Sequence, residues 1–416
     1  MQMFGGFYKG KSVLLTGHTG FKGSWLALWL HEMGAQVTGL ALPPNTEPNH
    51  FDLIGLKNLI HHVEGDIRDL KMVQKAFEAA QPEIVFHLAA QPLVRDSYDD
   101  PKTTFDTNIG GTVNVLEAIR HCPTVKAAVV VTSDKCYENK EWVWGYREND
   151  PMGGHDPYSA SKGATEIVCS AYLRSFFQKS GEIWGHDPNS PEFGIVSPDF
   201  PVSCPPEFVS GTCSGSPKGA ERVPGKIGFA TARAGNVIGG GDWAKDRIIP
   251  DCVRALSKGE PIIIRNPNAT RPWQHVLDPL SGYLQLAKRL TEDPEPFSGA
   301  WNFGPLMTDQ ISVLDLARRF VSAWGSGHIE PNSGDTIPNS DEFGSCPRNS
   351  PLHEAHILHL AIDKAACDLK WFPCCDSETA IEWTVDWYKA WHKGCETLLS
   401  LSLEQIGTYL SIIDEK

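Results

Sequence analysis

Residues Ser12–Gly23 read SVLLTGHTGFKG, and this stretch decides the fold. It opens with a short apolar run that predicts a buried strand. Glycines follow at Gly17, Gly20 and Gly23, and the apolar spacing from Phe21 to Met33 predicts a helix. Glycine lets the chain turn tightly and lets the backbone approach a pyrophosphate, which the N-terminus of the helix then faces. We therefore predict that this unit binds a dinucleotide.

The alternation of strands and helices continues along the chain. Further runs that are apolar on both faces predict buried strands at Gln36–Leu42, Glu83–Leu88, Ala127–Thr132 and Ile227–Thr231. Helical apolar spacing occurs at Asp69–Ala80, Pro101–Arg120 and Pro157–Phe177. The pattern predicts an α/β protein with a Rossmann-type, doubly wound parallel sheet.

The predicted domains follow from where this alternation stops. Residues 1–177 are expected to form the dinucleotide-binding Rossmann domain, to which a strand at 227–238 returns. Residues 239–416 are expected to form mainly a smaller α+β part that binds substrate. Between them, Gln178–Lys226 holds 8 Pro, 7 Gly and 7 Ser among 49 residues, which predicts an inserted surface loop with or without a function. A second polar loop is predicted at Asn332–Ser350.

The composition argues against several classes of partner. The formal net charge is −14, from 37 Lys and Arg against 51 Asp and Glu, and the pI is about 5.5. This charge disfavours binding to nucleic acid or to an anionic membrane. No apolar run is long enough to span a bilayer and Met1–Lys11 lacks the order of a signal peptide, so we expect a cytoplasmic protein. The 11 cysteines are scattered without a CxxC pair, so we expect no metal site.

The end of the second strand favours NAD over NADP. Leu40–Pro44 lacks the Asp or Glu that usually binds the adenosine ribose, and no Arg or Lys that would accommodate a 2′-phosphate occurs between Leu40 and Pro48. Asp66 has two possible roles. It can accept a hydrogen bond from the adenine amino group, cap a helix over Arg68–Ala80, or do both.

A catalytic site is predicted after the strand Ala127–Thr132. That strand leads into Ser133, Asp134 and Lys135, which places polar groups at the carboxyl edge of the sheet, where such folds bind ligands. On the next helix, Tyr158 and Lys162 are four residues apart and share a face. A neighbouring cation stabilises a phenolate, so we expect Lys162 to let Tyr158 act as a general base near neutral pH.

With these residues in place, the sequence resembles the extended short-chain dehydrogenase/reductase family, and within it the CDP-glucose 4,6-dehydratases. The matching motifs are Thr16–Trp25, His87–Pro92, Ser133–Lys135, Pro157–Lys162, Ala232–Trp243 and Thr270–His275. The resemblance spans nearly the whole chain. The segment from about Gln178 to Lys226 looks foreign to the family.

The resemblance also implies which residues bind the ligands. For NAD the implied residues are Gly17, Gly20, Phe21, Gly23, Asp66, Ile67, Leu88, Ala89, Ala90, Tyr158 and Lys162. For the pyrophosphate of a sugar nucleotide, Arg247 and Arg271 come first, ahead of Arg233 and Arg265, because Arg offers planar bidentate donors. Asn236 is a candidate for a phosphate or nucleotide oxygen. Trp243 beside Asp242, Trp273 and His275 are candidates for the nucleotide pocket, and each is equally a core residue.

The implied reaction converts a nucleoside-diphosphate glucose, with CDP taken from the resemblance alone, to the 4-keto-6-deoxy sugar and water. Tyr158 would take the proton of the 4-hydroxyl, with Ser133 or Thr132 bonded to the same oxygen, while hydride passes from carbon 4 to NAD. Water is then lost across carbons 5 and 6, and the hydride returns to carbon 6. Asp134 would protonate the departing 6-hydroxyl, and Lys135 is either the carbon-5 base or an electrostatic brace.

Two other functions and one assembly complete the expectations. A 4-epimerase of the same family would share Tyr158 and Lys162, but oxidation and re-reduction at carbon 4 need neither an acid nor a carbon-5 base. A non-catalytic NAD-binding relative is the other alternative. The resemblance further implies a homodimer or homotetramer through Pro101–Arg120 and Pro157–Phe177. The apolar faces of these helices equally suit packing on their own sheet.

Overall fold

A computed structural model of the chain describes residues 3–178, 226–264, 266–331 and 358–415. The predicted loops at 178–226 and 332–350 therefore lie outside the described residues, apart from Gln178 and Lys226, and so does Arg265. The two flanks of the first loop are adjacent, because the Ile227 amide donates a hydrogen bond to the Phe177 carbonyl at 3.3 Å. The two described segments on either side of this loop thus meet at one place.

A seven-stranded sheet lies at the centre of the described chain. The strands are β1 (Ser12–Thr16), β2 (Gln36–Ala41), β3 (His61–Glu64), β4 (Ile84–His87), β5 (Ala127–Val131), β6 (Gly228–Ala234), β7 (Val237–Ile238), β8 (Ile262–Ile264), β9 (Thr270–Arg271), β10 (Gln274–His275), β11 (Gly299–Phe303), β12 (Ile311–Ser312) and β13 (Ile329–Pro331). The sheet order is β3-β2-β1-β4-β5-β6-β11, and all of its neighbours are parallel. The remaining strands form short two-stranded pairs.

Helices cover both faces of this sheet. They are α1 (Phe21–Glu32), α2 (His50–Leu53), α3 (Leu70–Ala80), α4 (Val94–Asp99), α5 (Pro101–Phe105), α6 (Thr112–His121), α7 (Pro157–Tyr172), α8 (Ile248–Lys258), α9 (Leu277–Glu292), α10 (Pro294–Phe297), α11 (Val313–Trp324), α12 (Ser377–His392) and α13 (Leu398–Glu415). π-helical turns join α5 to α6 at Asp106–Gly111, extend α7 at Leu173–Phe177 and form Ala365–Leu369. A 3-10 turn at Asp134–Cys136 follows β5.

Alternate side chains along each strand explain why the sheet is covered on both sides. Val13 and Leu15 of β1 belong to one apolar cluster with α1 and α9, whereas Leu14 belongs to a second cluster with α3, α6 and α7. Successive strand residues point to opposite faces, so each fully apolar strand needs two covering layers. The prediction of a doubly wound Rossmann sheet is confirmed.

Two helix starts fix the position of functional residues. Asp156 caps α7 by accepting a hydrogen bond from the Ser159 amide at 2.8 Å, and Pro157 is tolerated because its missing N–H falls in the first turn. Asp69 caps α3 by accepting from the Lys71 amide at 2.9 Å. The alternative role of Asp66 as the cap of this helix is therefore wrong.

The part of the chain after residue 239 also contributes to the sheet. β11 is its edge strand, and α9 packs against β5 and β6. Tyr388 and Tyr409 from the last two helices belong to the same apolar cluster as β1. None of the helices in the described ranges is both long and apolar enough to cross a membrane.

Candidate active site

The glycine turn between β1 and α1 is tightly packed at two of its three glycines. Gly17 has φ +79°, and a Cβ there would lie 2.6 Å from the Ala89 amide nitrogen. A Cβ at Gly23 would lie 2.1 Å from the Gly17 carbonyl oxygen. At Gly20 the nearest atom is an ordinary contact at 3.4 Å, so the turn is more open there. This cradle fits the backbone approach that a dinucleotide pyrophosphate requires.

The other predicted cofactor residues follow the carboxyl ends of neighbouring strands. Leu88, Ala89 and Ala90 come directly after β4 and are partly buried, and the Ala89 amide donates to Thr16 Oγ1 at 3.2 Å. Phe21, also partly buried, begins α1. Because parallel strands end at one edge of the sheet, these residues gather beside the glycine turn.

Asp66 and Ile67 lie in the turn after β3. Asp66 accepts two hydrogen bonds from the Arg68 guanidinium, at 2.8 and 2.6 Å. The Ile67 side chain is buried against Gly111, and its carbonyl accepts a hydrogen bond from Asn114 at 2.9 Å. Packing and this hydrogen bond therefore hold Ile67 in place beside the start of α6.

The structure brings the predicted catalytic residues together where β5 ends. Ser133 donates to Asp134 Oδ1 at 2.9 Å and is hydrogen-bonded to Tyr158. Lys162 Nζ donates to the Val131 carbonyl at 3.5 Å, one turn along α7 from Tyr158. These side chains are buried, and Lys135 beside them is partly buried. The structure thus brings these predicted site residues together at one edge of the sheet.

Burial sets the protonation of this cluster. It raises the pKa of Tyr158 to about 12, although the Ser133 hydrogen bond and the charge of Arg247 oppose the rise. Burial also lowers the pKa of Lys162 to about 8. In the chain alone, desolvation of Tyr158 thus outweighs the opposing charge of Arg247, and the lowering of the Tyr158 pKa by Lys162 stays a prediction.

The pKa of Asp134 is raised, as a general acid requires. Burial raises the pKa of its carboxyl, and the nearby charge of Lys135, the Ser133 hydrogen bond and the charge of Lys22 oppose this rise. A carboxyl with a raised pKa holds its proton at a higher pH than an exposed one. Asp134 is thus suited to giving a proton to a leaving group.

Ser133 and Thr132, the two hydroxyl groups considered for the sugar oxygen, have different hydrogen-bond partners. Thr132 donates to Glu166, a buried carboxylate further along α7. Arg233 pairs with the same Glu166 at 2.8 Å, and both side chains are 4% exposed. Arg233 also donates to the Tyr137 hydroxyl at 2.6 Å. Our expectation that Arg233 binds a pyrophosphate is wrong, because its charge is neutralised inside the fold.

Arg247 is the better placed of the described substrate cations. Its Nη1 donates to Asp242 at 2.8 Å, its side chain is 37% exposed, and it acts electrostatically on Tyr158. Arg271 on β9 donates to the Thr270 carbonyl at 3.0 Å. Asn236 is partly buried at the end of β6, and its carbonyl accepts from the Gln274 amide at 3.1 Å.

Three aromatic candidates for the nucleotide pocket pack in the core. Trp243 is 6% exposed and packs against Tyr388 and Trp391, with ring centroids 5.2 and 4.4 Å apart. His275 is fully buried near Trp383, and burial lowers its pKa to about 3. Trp273 lies in the same apolar cluster. Trp243 and His275 thus pack as core residues, and a contact of either one with substrate stays a prediction.

The proteins to which this chain is similar include dehydratases that act on sugar nucleotides. The GDP-mannose 4,6 dehydratase family model matches residues 14–179. CDP-glucose 4,6-dehydratase of Salmonella typhimurium is 44% identical over 405 residues, which cover 97% of this chain and 98% of that protein. The chain belongs to the extended short-chain dehydrogenase/reductase family. It is an enzyme of the hydro-lyase type that the Salmonella protein represents.

Solved structures of this family share the fold of the chain. A dTDP-glucose 4,6-dehydratase from Bacillus anthracis, in complex with NAD, has a TM-score of 0.65 at 16% identity and covers 92% of this chain and 99% of its own. A Thermus thermophilus UDP-glucose 4-epimerase, also with NAD, has a TM-score of 0.64 at 21% identity and covers 91% and 98%. At these identities the likeness establishes the fold alone.

Sequence reasoning did not single out two residues that lie beside this site, Glu166 and Lys22. Glu166 follows Tyr158 and Lys162 at the same spacing of four, which places all three on one face of α7 and signals a carboxylate behind the site. Lys22 stands inside the glycine turn, and its electrostatic neighbours include Asp134 and Arg247. The signal for Lys22 was a charged residue within an otherwise apolar and glycine-rich junction.

Proposed function

We propose that the chain is an NAD-dependent 4,6-dehydratase that acts on a nucleoside-diphosphate glucose, with CDP-glucose as its substrate. The observation that carries the proposal is the cluster of Ser133, Asp134 and Tyr158 at the end of β5, with Lys135 beside it. An acid with a raised pKa next to an amine is more than a simple 4-epimerase requires. The 44% identity to a CDP-glucose 4,6-dehydratase over nearly both whole chains supports the same reaction and nucleotide.

The residues present fit NAD. The cradle around Gly17, the open side of Gly20 and the strand ends at Leu88–Ala90 would hold its pyrophosphate and nicotinamide half, and Asp66 would receive the adenine. When bound there, NAD would supply a hydride acceptor for carbon 4 of the sugar and, once reduced, a hydride donor for carbon 6. The absence of Arg and Lys between Leu40 and Pro48 supports NAD over NADP.

The protein side chains divide the proton transfers. Tyr158 takes the proton of the 4-hydroxyl, and Ser133, hydrogen-bonded to Tyr158, orients that oxygen. Once carbon 4 is a ketone, the hydrogen on carbon 5 is acidic, and Lys135 takes it or stabilises the charge left by its loss. Asp134 protonates the 6-hydroxyl, which leaves as water.

The substrate is anchored from the opposite side of the cleft. Arg247 keeps one guanidinium nitrogen on Asp242, and its other two nitrogens make no hydrogen bond within the described chain. Those donors suit a phosphate. Arg271 and Asn236 complete the expected contacts with the nucleotide.

A single assay separates this function from its rivals. The protein is incubated with CDP-, dTDP-, UDP- and GDP-glucose, and the products are weighed by mass spectrometry. A 4,6-dehydratase releases a product lighter by one water, with the highest kcat/KM for CDP-glucose. An isomer of unchanged mass would establish a 4-epimerase, and unchanged substrates throughout would establish a non-catalytic relative. Tyr158→Phe is the matched inactive control.

A further inference from the structure

Lys22 is a cation in the active site that the proposed function does not use. It lies in the first turn of α1, between Phe21 and Gly23 of the glycine turn. Its side chain is partly buried, and it forms neither a hydrogen bond nor an ion pair with the part of the chain that the structure describes. A half-desolvated ammonium without a counter-ion calls for an anionic ligand.

The charged groups around Lys22 come from both sides of the cleft. They are Asp134 and Lys162 on the catalytic side and Arg247 and Asp242 on the substrate side. Asp242 is already paired with Arg247 at 2.8 Å, and burial raises the pKa of Asp134, which favours its neutral form. Positive charge therefore exceeds negative charge where these residues meet.

The loop after β6 packs on α1, and this packing brings the charged residues of the catalytic side and of the substrate side close to Lys22. A Cβ at Gly235 would lie 3.2 Å from Asp134 Oδ2, and one at Gly239 would lie 3.2 Å from the Phe21 ring. Trp25 Nε1, one turn after Lys22, donates to the Gly240 carbonyl at 2.9 Å. The loop thus runs from the catalytic acid, across the start of α1, to the ion pair of Asp242 and Arg247.

We propose that Lys22 binds the diphosphate of the sugar nucleotide together with Arg247. The inference rests on the proposed function. The pyrophosphate of NAD is the other diphosphate expected near α1, but two of the four charged neighbours of Lys22, Arg247 and Asp242, belong to the substrate side. Lys22 would place the phosphate next to the sugar directly beside Asp134 and Tyr158.

The protonation of Lys22 predicts how the affinity for a diphosphate changes with pH. Burial, with Arg247 and Lys162 nearby, lowers its pKa to about 8, while Asp134 and Asp242 oppose the shift. A bound phosphate favours the ammonium, so binding is strongest while the free protein carries it. Affinity for a diphosphate therefore falls as the pH rises above about 8.

The experiment compares the full-length protein with Lys22→Met and with the charge-retaining Lys22→Arg, using CDP and NAD as separate probes in isothermal titration calorimetry. Lys22→Met is expected to weaken CDP on the order of tenfold or more, as for loss of a charge-assisted hydrogen bond, and to change NAD affinity little. Lys22→Arg is expected to retain most of the affinity. From pH 7 to pH 9.5, the parent is expected to lose CDP affinity above about 8, and both variants are expected to lose less, because they keep Lys162 but not the titrating amine of Lys22.

Each other outcome has a distinct meaning. A parent that does not bind CDP contradicts the proposed function itself. A parent that binds CDP while Lys22→Met binds it equally well overturns the role of Lys22. Loss of NAD binding with CDP binding intact assigns Lys22 to the cofactor and also overturns the proposal. If Lys22→Met does not fold, a parent whose CDP affinity stays constant across pH 8 overturns it.

Discussion

Asp134 and Lys135 share one 3-10 turn after β5, yet the proposed reaction gives them different protons. If Lys135 removes the carbon-5 proton, Lys135→Met should still oxidise carbon 4, because Tyr158 starts that step, while water loss slows by orders of magnitude. Asp134→Asn should also slow water loss but should still exchange the carbon-5 proton with solvent. The measurement is deuterium incorporation at carbon 5 in deuterated water, alongside the absorbance of reduced nicotinamide.

Tyr158→Phe is the control for this comparison, since it should block the first oxidation and every later step. Near-normal deuterium exchange by Lys135→Met would eliminate Lys135 as the base and leave it the electrostatic role. Loss of exchange in Asp134→Asn would instead assign the carbon-5 proton to Asp134.

Burial of the Lys162 ammonium lowers the free energy of unfolding, and the size of this effect depends on pH. Burial lowers its pKa from the ordinary 10.5 to about 8, so between these pH values the unfolded chain binds more protons than the folded one. Stability therefore rises with pH across this window, and below pH 8 the full penalty is present, about 3 kcal/mol. Lys162→Met should raise the free energy of unfolding by up to that amount at pH 7 and abolish catalysis. The difference should shrink as the pH rises toward 10.

Urea unfolding of the parent and Lys162→Met, at matched cofactor occupancy from pH 7 to pH 10, measures this difference. Lys162→Ala is a useful second variant, because it removes the charge but leaves a cavity. An equal stability gap at every pH would show that the proton on Lys162 does not set it.

For single residues, the sequence was sufficient to predict positions that depend on local spacing. Tyr158 and Lys162 share a helix face, and Ser133 follows a strand end, so both placements follow from short-range geometry. Trp243 and His275 lie in motifs too, but their side chains are turned into the core by α12, which is distant in sequence. Composition and spacing carry no information on that packing.

Among the elements, β5, β6 and α7 are held together by one buried polar network. Glu166 on α7 accepts hydrogen bonds at 2.8 Å from Arg233 and from Thr231 on β6, and Thr132 after β5 donates to it. Removing one partner of a buried pair leaves an uncompensated charge. The network therefore stabilises the strand ends that present Ser133 and Asp134.

This network predicts different effects for substitution of two arginines that looked alike in the sequence. Arg233→Met should lower the free energy of unfolding by about 3–5 kcal/mol, because it strands Glu166 in the interior. Arg247→Met should cost less stability, ~1–2 kcal/mol, and should chiefly raise KM for the sugar nucleotide. Chemical denaturation and steady-state kinetics on both variants provide the test.

The double variant Arg233→Met with Glu166→Leu should lose much less stability than the sum of the two single changes, since no charge is stranded. A fully additive loss, or a raised KM as the main effect of Arg233→Met, would contradict the structural role assigned to Arg233.

The elements were easier to predict than their ends. Runs that are apolar on both faces identified five of the sheet strands and their parallel direction, because strands of a parallel sheet are buried on both sides. β3 was not predicted, and its residues are only partly buried or exposed, so its sequence shows no apolar run. The helix predicted over Pro101–Arg120 contains a π-helical turn at Asp106–Gly111, which apolar spacing does not reveal.

Over the whole molecule, the C-terminal helices hold the substrate side of the cleft against the Rossmann sheet. Tyr388 of α12 donates to the carbonyl of Asp242, the residue that pairs with Arg247. The Trp25 ring of α1 stacks on His50 at 4.7 Å, and His50 contacts Trp387 of α12. The substrate anchor is therefore built by residues from opposite ends of the chain, which no local motif could indicate.

The outer face of α5 and α7 is the remaining large-scale feature. The predicted segments Pro101–Arg120 and Pro157–Phe177 contribute to the second apolar cluster against the sheet through α6, α7 and the π-helical turn Leu173–Phe177, as the packing alternative required. The same segments also expose Phe105, Ile167 and Phe176, at 37%, 61% and 43%. Both expectations for these helices are thus compatible, and we propose that this outward face joins two copies of the chain about a two-fold axis.

Ile167→Arg tests that assembly. A charge in the middle of a two-fold apolar contact meets its own copy, so the change should convert the dimer to a monomer while the buried face of α7, and with it Tyr158, stays in place. Trp144→Arg is the matched control, because Trp144 is also 61% exposed but lies in the loop after the 3-10 turn rather than on α7. Sedimentation equilibrium should show a dimer or tetramer for the parent and for Trp144→Arg and a smaller species for Ile167→Arg. A monomeric parent, or an Ile167→Arg variant that keeps the parent's mass, would place the interface elsewhere or remove it.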